Sequence, residues 1–123
     1  MIRAQEEFVA EQLGTALAKV MKNRNAILVA STDLSHFYDQ QTATQLDQEM
    51  LKCFTVLDPS MIFEAEQTGK GFACGHAAVA TVQWTAKALG ANKVQILKQA
   101  TSGDVTGDYS SVVGYGAAVI LRV

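Results

Sequence analysis

Val9, Leu13, Ala16, Leu17 and Val20 recur three and four residues apart, with Glu6, Glu7, Glu11, Gln12 and Lys19 on the intervening positions. This spacing predicts an amphipathic helix over residues 5–22. Lys22-Asn23-Arg24-Asn25 then supplies positive charge and turn residues at its end. Ile27-Leu28-Val29 is a short continuous apolar run, and it predicts a buried strand over residues 26–30. The run stops abruptly in Ser31-Thr32-Asp33, with polar residues following as far as His36. Leu46, Met50, Cys53, Phe54 and Leu57 form the apolar stripe of a second helix from about Asp39 to Leu57. Asp58-Pro59 reads as an N-cap with proline at the first helical position, opening a short helix to Gln67. Helical spacing returns over residues 75–89, where Ala78, Val82, Ala86 and Leu89 mark one face and Lys87 is the single charge. So apolar a helix should be enclosed on most sides, and Gly90 suits its C-terminal cap. Residues 93–99 and 111–123 read as strands, the second apolar on both alternating faces as a central strand requires.

Helices alternating with strands predict an α/β fold, with helices packed on a mixed sheet and the last two strands antiparallel neighbours. The chain of 123 residues suits a single domain over 1–123. Three strands make a thin sheet for so many helices. Further strands, from another copy or from a segment not in this chain, are therefore expected beside them, giving a homo-oligomer or a paired assembly.

Charge and cysteine content narrow the partners. A net charge of −2 and a pI of about 5.6 leave no electrostatic footprint for nucleic acid or an anionic membrane. No apolar stretch is long enough to span a bilayer, and Gln5-Glu6-Glu7 interrupts anything like a signal peptide. Cys53 and Cys74 sit in different contexts and read as free thiols, so a cytoplasmic address is expected.

Three stretches offer chemistry. Asp33 and His36, three apart in a loop after an apolar run, can approach one point as a metal site or a His–carboxylate pair requires. The same residues also serve as helix-entry caps and a structural histidine. Cys74 precedes a helix, where unpaired amides stabilise a thiolate, and Gly71 and Gly75 permit close backbone approach. A buried inert thiol is the alternative there, and Cys53, inside a helix stripe, reads as a core thiol. His76 reads as a surface histidine. Residues 101–108, Thr-Ser-Gly-Asp-Val-Thr-Gly-Asp, form a glycine-punctuated hairpin loop or a pocket rim, with neither the pattern of a calcium loop nor the lysine of a P-loop.

Val29-Ala30-Ser31-Thr32-Asp33-Leu34-Ser35-His36-Phe37, the Cys74-Gly75 step, residues 101–108 and Val112-Val113-Gly114-Tyr115-Gly116-Ala117-Ala118 occur in an order that resembles the MEMO family, protein B of the AmmeMemoRadiSam system. That family is similar to the class III extradiol dioxygenases in architecture and pocket position. The resemblance implies a metal-binding pocket of redox character, holding iron(II) or copper, to which Asp33, His36 and Cys74 are the matching residues. It also implies an N-terminal half with two further pocket histidines, so that this chain matches the C-terminal half of the family fold. After Cys-Gly the family carries an arginine-type residue, where this chain has His76.

Two other readings use the same residues. A cysteine hydrolase would take Cys74 as nucleophile, His36 as base and Asp33 as its orienter. A non-catalytic module would accept a peptide, small molecule or small anion at the helix start beside Cys74.

Overall fold

A computed structural model describes residues 2–123. In chain order the elements are α1 (Glu7–Met21), β1 (His36–Tyr38), α2 (Gln40–Val56), α3 (Pro59–Thr68), α4 (His76–Ala88), β2 (Lys93–Thr101), α5 (Gly103–Thr106) and β3 (Val112–Leu121). Helices on a sheet make this the α/β arrangement that the pattern predicts. Caps explain several boundaries. The Asp39 carboxylate accepts the amides of Gln41 and Thr42 at the start of α2, and Asp58 accepts Ser60 before Pro59 opens α3. Gly69 closes α3 and Gly90 follows α4, both at positive φ where a side chain would be strained.

β2 and β3 pair antiparallel from Lys93 opposite Leu121 to Thr101 opposite Gly114, with an irregularity between Ile96 and Lys98. β1 adds antiparallel to the start of β3, giving the order β1-β3-β2. β3 is therefore central, as expected, but the described sheet is wholly antiparallel and not mixed.

The strand expected at 26–30 does not form. Those residues pair with nothing among the described ones, and Ile27 and Val29 are 91% and 79% exposed. An apolar run becomes a strand only when a neighbour satisfies its amides and carbonyls, and here none lies alongside. The segment instead borders a cavity of about 520 Å³, walled by Val79, Val82 and Ala86 of α4 and by Ala118 and Ile120 of β3. α4 is consequently only partly enclosed: Ala77, Ala80, Thr81, Gln83 and Thr85 are buried while its cavity side is open.

α1 also differs from its predicted face. Its buried stripe is Ala10, Gly14 and Ala18, whereas Val9, Leu13 and Leu17 are half-buried and Val20 is exposed. Small residues let α1 approach α4 closely enough for Thr81 to donate its hydroxyl to the Ala10 carbonyl at 3.2 Å, and for the Thr85 hydroxyl to share its proton between Thr81 O at 2.8 Å and Gly14 O at 3.1 Å. Those bonds, unreadable from apolar spacing, set the rotation of the helix. The main core gathers Leu34, Met50, Leu51, Phe54, Ile62, Ala65, Ala73 and Ala80 between α2, α3, α4 and the sheet. Cys53 packs at its edge, where burial and the nearby Glu49 and Glu64 push its thiol up, as suits a structural cysteine.

Candidate metal centre

Leu34 anchors the first loop of the site. Its side chain is buried in the core, its amide donates to the Gly114 carbonyl at 2.8 Å, and Gly114 N–H donates back to Ser35 O at 2.8 Å. The Ser35 amide turns inward to Oδ1 of Asp47 on α2, at 2.9 Å. With Leu34 and Ser35 fixed inside, Asp33 and His36 flank them at the partly exposed surface. Beyond His36 the register with β3 shifts, and Phe37, at φ 67°, takes up the irregularity while remaining 78% exposed.

The second loop follows α3. Ala73 N–H donates to the carboxylate of Glu66, and the His76 ring lies 3.0 Å from the Ala73 carbonyl and 3.5 Å from Glu66. His76 is thus not the surface residue expected, because its ring, 15% exposed, folds back over the preceding turn and meets Phe63 edge-on. Clamped from inside, the turn leaves Cys74 exposed on its outer side.

The two loops meet through backbone. Cys74 N–H donates to Asp33 O at 3.2 Å, Gly75 N–H donates to the Thr32 hydroxyl at 2.8 Å, and Asp33 N–H donates to Sγ of Cys74 at 3.3 Å. A Cβ on residue 75 would lie 2.6 Å from Ser31 O, so this approach requires glycine. His36 Nε2 stands 3.8 Å from Asp33 Oδ2. One ligand atom from each of Asp33, His36 and Cys74 lies within 4.8 Å of the others. The three residues singled out in the sequence therefore converge. No hydrogen bond joins His36 to Cys74 among the described residues, so the base–nucleophile contact of a hydrolase triad is not made. The 101–108 stretch is absent from the cavity wall at 26–32. Its short α5 instead folds against β2, and Thr101 donates its hydroxyl to Gln40 on α2.

Residues 1–119 match the family described as Memo-like protein. The chain belongs to that family. It is 38% identical over 117 residues to a MEMO1 family protein of Nitrosopumilus maritimus, covering 95% of this chain and 42% of the relative. A MEMO1 family protein of Thermotoga maritima is 39% identical over 117 residues, covering 94% and 41%. One from Methanocaldococcus jannaschii is 36% identical over 118 residues, again covering 94% and 41%. This Memo-like chain thus spans about two fifths of the length of the curated relatives it matches. No helix among the described residues is long and apolar enough to cross a membrane.

Sequence reasoning passed over Asp47, the support beneath the site. It lies fully buried (0% exposed) on α2, and its Oδ2 and the Ser35 hydroxyl have no hydrogen-bond partner among the described residues. Its only signal was a charged residue one position from Leu46 in an apolar stripe. Burial pushes its carboxyl above the usual range, with the hydrogen bond from the Ser35 amide and the nearby His36 pulling partly back. A carboxyl with a raised native pKa holds its proton more tightly folded than unfolded. Its contribution therefore lowers stability as pH rises from the ordinary aspartate range through the native value. Exposed Asp39 and Asp108, held low by Thr42 and Ser110 hydrogen bonds, act oppositely: their contribution is lost as pH falls. Subtracting the stability of Asp47→Asn from that of wild type, by urea unfolding across roughly pH 4–7, cancels those two. The difference should turn against wild type with rising pH, whereas parallel curves would remove Asp47 from this role.

Proposed function

We propose that Asp33, His36 and Cys74 hold a redox-active metal ion, iron(II) or copper, in a Memo-like site. The observation that supports this is their convergence within 4.8 Å from two loops about forty positions apart in sequence. Donors bonded to one ion at the usual lengths lie about 3–4.5 Å from each other, so little movement would bring these three into range. Their chemistry suits the proposal too. A thiolate favours copper(I) and iron, an imidazole suits both, and a carboxylate adds the hard donor common in non-haem iron sites. Bound there, the ion would supply one-electron chemistry and Lewis acidity.

The chain's own groups would then do the holding. The Asp33 amide donates to the sulfur, orienting it, and Asp33 stands against the imidazole of His36. Three donors leave positions for further ligands or for a small-molecule or peptide substrate. The cavity beside residues 26–30 is the surface on which a second copy, or the remaining length that the relatives possess, would complete the sheet.

Anaerobic calorimetric titration with iron(II), and separately copper(I), tests the ligand set. His36→Ala and Cys74→Ala should each weaken binding of the preferred ion by at least about tenfold. Isotherms unchanged in both variants would overturn the assignment. Sedimentation velocity on the same samples reads self-association, and a strict monomer would leave the cavity to a different partner chain.

A further inference from the structure

We infer that Thr32 is a positioning residue that sets Cys74 against Asp33, an inference that rests on the metal reading above. Its hydroxyl is the polar side-chain group that touches both loops at once. Oγ1 accepts Gly75 N–H at 2.8 Å and donates to Asp33 O at 2.7 Å, and that carbonyl also accepts Cys74 N–H at 3.2 Å. A hydroxyl carries one proton and two acceptor positions. With the proton directed to Asp33 O and one lone pair to Gly75, the remaining lone pair faces Sγ of Cys74, 3.8 Å away.

That last contact changes character with the state of the sulfur. A thiol can donate to the free lone pair of Thr32. A metal-bound thiolate has no proton, so the contact survives as a hydrogen bond only when the Thr32 proton swings from Asp33 O to sulfur. A hydrogen bond to a ligating sulfur withdraws charge from it and tunes the metal. Gly75, which must lack a side chain to admit Ser31 and Thr32, brings the helix start within reach of this hydroxyl.

The test uses cobalt(II) as a spectroscopic probe in a Cys53→Ser background, so that Cys74 is the single thiol. Thr32→Val removes the hydroxyl at nearly constant shape, and Thr32→Ser restores it. In Thr32→Val, affinity should fall by about 10–100-fold and the sulfur-to-cobalt charge-transfer band should move to lower energy. Thr32→Ser should recover both. Amide exchange at Gly75 in the metal-free protein supplies a separate readout, faster in Thr32→Val and near wild type in Thr32→Ser. A Thr32→Val protein with unshifted band and unchanged affinity would overturn the inference even if it melts lower. Should the Cys53→Ser protein itself give no cobalt band that Cys74→Ala abolishes, the metal reading fails. Gly75 exchange then decides Thr32 alone: faster exchange upholds its placement of the Cys74 turn, and unchanged exchange removes it. If Thr32→Val does not fold, Thr32→Ala is read against the same criteria.

Discussion

Gly114→Ala is expected to lower stability by about 3–5 kcal/mol, combining overpacking with a broken buried hydrogen bond. The added methyl would fall on Oδ2 of Asp47 and 2.5 Å from its Cγ. Neither side has room to yield. Gly114 is tied to Leu34 and Ser35 through its own carbonyl and amide, and it pairs across the sheet with Thr101. Moving the Asp47 carboxylate would abandon the Ser35 amide, a buried donor with no other acceptor. Against a typical stability of about 5–15 kcal/mol, the loss should be plain in urea unfolding. The cause is checked by the double variant Asp47→Ala with Gly114→Ala. If the clash dominates, the double variant should be clearly more stable than the two single losses added together. Strict additivity, or an unchanged midpoint for Gly114→Ala alone, would refute it.

Gly75→Ala should act on the site more than on the fold. Its methyl would meet the carbonyl of Ser31 at 2.6 Å and Thr32 Cβ at 3.0 Å, contacts with backbone and a branched carbon that cannot swing aside. The partly exposed loop 31–33 would have to draw back, lengthening the bonds from Cys74 N–H to Asp33 and from Asp33 N–H to sulfur. Because these groups lie at the rim and not in the core, the unfolding midpoint should drop less than for Gly114→Ala. Affinity for the proposed iron(II) or copper ion should fall by at least about tenfold, the scale seen when groups that orient ligands are disturbed. Calorimetry with the ion preferred by wild type reads the affinity, and urea unfolding reads the fold. Equal affinity in the two proteins would show that the closeness of these loops does not govern binding.

The two effects separate what supports the site from what composes it. Asp47 and Gly114 fasten the loop carrying Asp33 and His36 to α2 and β3, while Gly75 and Thr32 fasten that loop to Cys74. Metal sites depend on such supporting contacts because a ligand free to rotate must lose that freedom on binding.

Much of this was legible in order. The periodicity of residues 5–22, 39–57 and 75–89, the Asp58-Pro59 start and Gly90 placed the helices, because capping and amphipathic spacing act within a few residues. The apolar run at 112–121 marked the central strand for the same local reason. Asp33, His36 and Cys74 stood out by residue type beside loops and a helix start, and by their resemblance to a family whose membership the comparisons then established. What tertiary structure alone decided was pairing. Residues 26–30 have the composition of a strand yet lack a partner among the described residues, His36–Tyr38 have little strand signal yet pair with β3, and α1 turns its small residues inward to reach two threonines of α4. Pairing depends on hydrogen bonds between segments distant in sequence, and no pattern within one segment records which neighbour will be there. The same physics hid Asp47, whose burial makes sense only once the Ser35 amide is seen pointing at it.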